Sequence, residues 1–234
     1  MCRCLFVAIS IISVGSVLLG IIGTVFESNE GLLFSAVQDG DLRRAIELLR
    51  DHPDLDVNYE HSAHGDKTAL MEACHLGFKT LASILLAHPS IDVNHLSVDS
   101  TTAFHITDSH LVPLLLHDSR VLINVQANGM TKLYIAAIVG DLAVAKWFLA
   151  SGRDLDFVQP ANPDPDVGTL ESPRNLEAET PENFEKRKVR IAAIVELIER
   201  FKENPEKIRA EIRLELGITG KRCFCLRKEE DSGE

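Results

Sequence analysis

What this chain of 234 residues has little of narrows its class before any pattern is sought. Cysteine is scarce and odd in number: Cys2, Cys4, Cys74, Cys223 and Cys225. Four of the five sit at the two ends, which excludes a small disulfide framework. Basic residues are in deficit, with 24 Lys and Arg against 35 Asp and Glu and a net charge of −11. No basic stripe with interleaved aromatics is present, so the electrostatic footprint of a nucleic-acid binder is missing. Catalytic signatures are missing as well. There is no Gly-rich phosphate loop, no Gly-x-Ser-x-Gly and no His-Glu-x-x-His, and no carboxylate pair stands out in an apolar setting. The sequence therefore predicts no enzyme, no cofactor, no nucleic-acid partner and no small-molecule substrate.

What is there is a repeated helical hairpin. The clearest copy runs from Gly129 to Asp156. Thr131 caps a first helix carrying Leu133, Ile135, Ala136 and Ala137, and Gly140 ends it. Asp141 caps a second helix with Leu142, Val144, Ala145, Phe148 and Leu149, which Gly152 ends. Such a hairpin cannot bury its own apolar face, and the chain supplies neighbours of the same shape. Thr68–Gly77 (TALMEACHLG) aligns with Thr131–Gly140 (TKLYIAAIVG), and Gly31–Gly40 (GLLFSAVQDG) aligns again. Each copy continues to an apolar pair (Leu48-Leu49, Leu85-Leu86, Phe148-Leu149) and an acidic turn (Asp56–Asn58, Asp92–Asn94, Asp154–Asp156). A shorter copy lies between, marked by Thr102, Leu114–Leu116 and Ile123-Asn124. Thr68 to Thr102 is 34 residues and Thr102 to Thr131 is 29, a repeat period in the low thirties.

These marks resemble the ankyrin repeat, whose pattern is TPLH-x-AA-xx-G followed by LL-xx-G-A-x-VN. The resemblance covers about residues 31–156. It implies an all-α fold: an ankyrin-repeat solenoid of about four helix-turn-helix repeats, with an N-terminal hydrophobic helix and C-terminal helices added. The chain departs from the pattern where Ala69, Ala103 and Lys132 replace the proline. The third copy lacks the glycine between its helices, so its first helix is expected to be clipped or replaced by a tight turn at Asp108-Ser109. His105 stands at the histidine of the pattern, which implies a structural hydrogen-bonding role.

The organisation expected is a hydrophobic segment at 1–28, repeats at 29–158, an acidic Pro-rich linker at 159–180, a helical pair at 181–217 and a disordered tail at 218–234. Leu5–Phe26 is 22 residues without a charge, long enough to cross a bilayer core of about 30 Å. It fits a membrane anchor, a cleaved signal peptide with Arg3 as its n-region, or a buried helix. Arg3 opposes Glu27 and Glu30 across the segment, but Arg43 and Arg44 follow, and the free Cys74 inside a repeat fits a reducing compartment. The repeats are thus expected on the cytoplasmic side of a single-pass anchor, with secretion as the alternative. Cys2 and Cys4 beside the segment are either palmitoylation sites or plain thiols. The first repeat has no polar capping repeat before it, so the membrane segment or the lipid interface is expected to cover that end.

All nine histidines lie between His52 and His117. His61-x-x-His64 lacks a second ligand pair at zinc spacing, and Cys223-Phe-Cys225 has no partner pair, so no metal is expected. Beyond the linker, Thr180-Pro181 opens a helix with Phe184, Ile191, Ile194, Val195, Ile198 and Phe201 on its apolar face. Asn204-Pro205 starts a second, with Ile208, Ile212 and Leu216, stopping at Gly217. This pair is expected to fold back on the last repeat, where Trp147 and Phe148 are exposed; pairing with another chain is the alternative. The function expected is a membrane-tethered scaffold that binds a protein. By resemblance, the binding surface is the hairpin tips (His64, Asp66, Asp99, Ser100, Asn128) and the outward side of the first helices (Glu72, His75, Leu76, Ile135, Ile138, Val139). The buried side is Leu70, Ala73 and Cys74 in one copy and Leu133, Ala136 and Ala137 in the other.

Overall fold

The computed structural model of the protein describes residues 28–157 and 180–218. The apolar segment 5–26, most of the acidic linker, the tail and the four terminal cysteines lie outside the described residues. Within them, no helix is long and apolar enough to cross a membrane. The fold is all-α in class. Helices come in sequential pairs: α1 (Asn29–Gln38) with α2 (Leu42–Asp51), α3 (Ala69–His75) with α4 (Lys79–Ala87), α5 (Ala103–Ile106) with α6 (Val112–His117), and α7 (Lys132–Val139) with α8 (Leu142–Ser151). A fifth pair, α9 (Pro181–Glu203) and α10 (Pro205–Glu215), follows. The one two-stranded ladder among the described residues joins β1 (Gln126–Ala127) to β2 (Met130–Thr131).

Local chemistry sets the hairpins. Ser28, Thr68 and Thr131 cap α1, α3 and α7, each hydroxyl accepting the amide three residues on. Gly40, Gly77 and Gly140 take φ near +75° (70°, 76° and 78°), the left-handed turn that glycine enters without strain. In each turn the next amide reaches back five residues: Asp41 to Ala36 O, Phe78 to Ala73 O and Asp141 to Ala136 O, at 2.8–2.9 Å. Asp41 and Asp141 then cap the second helices. Phe78 makes no side-chain cap; its ring instead lies against Gly40 of the preceding turn, where a Cβ would meet it at 3.1 Å.

The glycines put the copies in register. Leu33, Leu70 and Leu133 are buried seven residues before the glycine, and Ala36, Ala73 and Ala136 four before. Ala45, Ala82 and Ala145 are buried five residues after it. Four residues after it, however, α4 and α8 bury Leu81 and Val144 while α2 exposes Arg44. The first pair is thus polar where an inner pair is apolar. The end expected to need a lipid or helical cover carries a charge of its own.

The third pair is clipped, as its missing glycine requires. α5 has four residues, and Asp108 makes the turn after it by accepting from Ser109 Oγ (3.1 Å) and the His110 amide (3.4 Å). A short helix leaves its last carbonyls without partners. Lys132, at the start of α7, supplies them: its Nζ donates to His105 O and Thr107 O, both at 2.8 Å. The residue that breaks the repeat pattern therefore fills the place of the missing helical turn.

Two ladders tie the pairs together. The asparagine after each acidic turn both donates and accepts across to the next copy. Asn58 bonds Ser90 O and the Asp92 amide (both 2.7 Å), Asn94 bonds Arg120 O (2.9 Å) and the Leu122 amide (2.8 Å), and Asn124 bonds Asp154 O (2.9 Å) and the Asp156 amide (3.1 Å). In the fourth copy the position is Asp156, whose carboxylate has no N–H for the donor half of a further rung. The second ladder is made of arginines, each reaching back to carbonyls near the end of an earlier helix. Arg120 donates to Leu86 O (2.7 Å), Arg153 to Val121 O (2.5 Å) and Arg213 to Ala150 O (2.8 Å).

The C-terminal pair folds back on the fourth copy. Thr180 caps α9 with Pro181 at its first turn, and Asn204 caps α10 before Pro205. Phe201, Ile208 and Ile212 close over Leu149 and Ala150, while Ile194 joins the main core. Arg190 donates to Gly140 O at 3.1 Å, the place His110 fills on Gly77 O at 3.2 Å. α9 and α10 thus make the contacts of a next repeat without its sequence. Two expectations change. Phe148 is not exposed; it is fully buried, with its ring 5.4 Å from Phe104, and α8 meets the cap through Leu149 and Ala150 while Trp147 is half-buried. Phe184 and Val195 lie outside the buried face of α9 and remain exposed.

Candidate interaction surface

Each of the first three inter-pair loops rises to a hairpin tip. At the first, the His61 amide donates to Lys67 O (3.1 Å), Ser62–His64 form a 3-10 turn, and Gly65 and Asp66 reverse the chain at φ 72° and 54°. Buried Phe34 supports this tip from below, with its ring stacked on His61 at 4.5 Å and tilted against His64 at 5.1 Å. The second tip is pinned by the Ser97 amide on Thr101 O (2.9 Å) and by the two hydroxyls at 2.8 Å, with Ser100 at φ 56°. At the third, Asn128 and Gly129 both take positive φ between β1 and β2, the two-residue turn whose twist suits a hairpin.

The sequence-predicted residues divide between surface and interior. His64, Asp99, Ser100 and Asn128 are exposed, and Asp66 is half-buried. Leu76 is exposed and His75 half-buried. Glu72 is a correction: it is only 6% exposed. α3 is flanked by α1 on one side and α5 on the other, so its outward face is narrower than a lone amphipathic helix would present. Ile135 and Ile138 are half-buried and pack with Tyr134 on the hairpin residues Ala127 and Met130; Val139 is half-buried too. The apolar hot spot expected at Ile138 and Val139 is therefore partly covered by the copy's own hairpin. Leu70, Ala73, Cys74, Leu133 and Ala136 are buried, and Ala137 packs against the core at its edge.

Sequence reasoning missed Leu96 and Val98, the most exposed aliphatics of the repeat stack apart from Leu122. Their signal was present. They alternate around Ser97, so an extended arm puts both on one side.

The interior titratable groups are held by backbone. His105 Nδ1 accepts from the Thr102 amide (3.3 Å) and sits 2.9 Å from its hydroxyl; Nε2 then carries the proton and donates to Val125 O at 2.9 Å. Burial pushes its pKa down to about 4, so the ring is neutral. This is the structural role that the pattern implied. Burial likewise pushes the Cys74 thiol up to about 12 and the Lys132 ammonium down to about 8. A thiol so protonated is a poor nucleophile and metal ligand near neutral pH. On the surface, the Asp108 carboxylate beside His110 (3.0 Å) raises the imidazole's pKa. Comparison of the chain with family models and with curated proteins finds no match.

Proposed function

We propose that the chain is an ankyrin-type protein-interaction module without enzymatic activity, tethered to a membrane by Leu5–Phe26 with its repeats on the cytoplasmic side. The observation that carries this reading is the stack itself. Helical pairs in glycine register, tied by the asparagine ladder, raise successive polar tips at a spacing the core dictates. The arrangement supports a rigid display surface, since half-buried Lys132 and buried His105 spend their polar groups on backbone. A combined Asp66→Gly, Leu76→Ala, Asp99→Ala and Asn128→Gly variant tests it, with glycine keeping the positive φ at positions 66 and 128. It is expected to lose a captured partner at an unchanged melting temperature, and a retained partner would sink the tip assignment. Protease protection of a chain tagged at both ends tests the tether.

A second reading is secretion after cleavage of the same apolar segment. Arg3 before an uncharged run is the feature that favours it. The mature N-terminus separates the two: residues near Phe26–Ser28 mean cleavage, and an intact Met1 or Cys2 means an anchor.

A further inference from the structure

The first two tips form one surface. The Val98 amide donates to Gly65 O at 3.4 Å, which lays the arm leading to the second tip against the first. His95 Nε2 lies 3.1 Å from Glu60 Oε1, which sets the same arm beside the loop below the first tip. Along the arm Ser97 turns inward, 7% exposed, with its hydroxyl on Thr101. Leu96 and Val98 on either side of it face out, 51% and 67% exposed. Counted from the ladder asparagines Asn58, Asn94 and Asn124, the same two positions are Glu60 and Ser62 in the first hairpin and Gln126 and Asn128 in the third. Hairpin formation therefore accepts polar residues there, and the aliphatic pair in the second is not required by the fold. The pair's surroundings are acidic: the loop and tip segments 59–67 and 92–100 hold Glu60, Asp66, Asp92 and Asp99 against Lys67, four carboxylates to one ammonium.

We propose that Leu96 and Val98 dock an extended segment of a partner protein in which Lys or Arg alternate with aliphatic residues. This rests on the interaction reading above and adds the chemistry of the partner. Aliphatic side chains remove Leu96 and Val98 from water, and the basic ones meet the surrounding carboxylates. An extended segment suits the site because its own period of two matches the spacing of Leu96 and Val98.

The test titrates the full chain, in mild detergent, with three dye-labelled heptapeptides that alternate Lys with Val, Lys with Ser and Glu with Val. The Lys-Val peptide is expected to bind at least tenfold tighter than either control, and more weakly as salt rises. A Leu96→Ser, Val98→Ser double variant, whose exposed positions leave the melting temperature unchanged, is expected to lose at least tenfold in that affinity. Asp99→Lys should narrow the Lys-Val over Glu-Val preference. Equal binding of all three peptides would overturn the proposal, as would Lys-Val binding unaltered by the double variant. Self-association of the full chain that the double variant abolishes would also overturn it, by making a second copy the occupant. If the combined variant at Asp66, Leu76, Asp99 and Asn128 loses its captured partner while no peptide binds, the interaction reading stands and this inference falls.

Discussion

At α2, Arg44 is exposed at the position that buried Leu81 holds in α4 and Val144 in α8. At the other end of the stack, Leu149 and Ala150 are fully buried, but only because Phe201, Ile208 and Ile212 lie over them. A stack of helical pairs has the same problem at both ends, since each pair presents an apolar face to a neighbour that the last one lacks. Here the first pair answers it by composition, with a charge in the apolar register. The last pair keeps its apolar residues and adds two helices, which reproduce the His110-to-Gly77 contact with Arg190 on Gly140 and the Arg120-to-Leu86 contact with Arg213 on Ala150. The difference teaches that the C-terminal end depends on residues distant in sequence, whereas the first pair carries its polar residue within its own second helix.

That contrast can be broken most strongly at Ile212. It is 2% exposed beneath the cap, and Ile212→Asp would bury an unpaired carboxylate there. The expected loss is about 4 kcal/mol or more in urea unfolding. A C-terminal end as tolerant as the N-terminal one would lose far less. Next comes Lys132, which belongs to neither end. Lys132→Met leaves His105 O and Thr107 O without their charged donor, for about 2 kcal/mol. It also carries a pH signature. The folded-state pKa near 8 lies below the ordinary 10.5, so between those values the unfolded chain binds more protons and stability contributed by this group rises with pH. Below pH 8 both states are charged and the contribution is flat. Unfolding midpoints across pH 7–10.5 should show that rise in the wild type and not in Lys132→Met.

The ladder comparison is subtler. Asn58→Ala and Asn124→Ala each remove two side-chain bonds to the next copy and should cost about 1–2 kcal/mol. Hydrogen exchange should place the first loss between the first two pairs and the second between the third and fourth, with α9 and α10 protecting the latter region from opening fully. The smallest effect is expected at Arg44. Arg44→Leu should change monomer stability by under ~0.5 kcal/mol. It would make the N-terminal face resemble an inner one, so sedimentation at rising concentration should reveal association that the wild type does not show. No association would mean that Arg44 is not what closes that end.

Much of the local structure was legible in the sequence. The Thr caps, the Gly40, Gly77 and Gly140 stops, the clipped third copy and the Thr180-Pro181 and Asn204-Pro205 starts are short-range stereochemistry, and they appear where expected. The fold-back of the last helices followed from the cost of an uncapped end. What was not legible involves pairs separated by about one period. Asn58, Asn94 and Asn124 looked like turn residues, and only the stacking of copies reveals them as rungs. Glu72 was assigned outward from the face of its own helix, but its neighbours α1 and α5 determine its exposure. The candidate surface was half legible in the same sense. The polar tips were read from turn chemistry. Leu96 and Val98 became visible as surface only once Ser97 was seen bonded inward.

The sequence by itself determined the helical pairs, their order and the register of their buried leucines and alanines, because caps, stops and periodicity act within ten residues of one another. Tertiary structure alone decided what covers the C-terminal end of the stack, which outward positions reach solvent, and which carbonyls Lys132 bonds. Those outcomes depend on which surfaces meet across 25 to 63 residues of chain, from Lys132 on Thr107 to Arg213 on Ala150, and no local preference encodes that meeting.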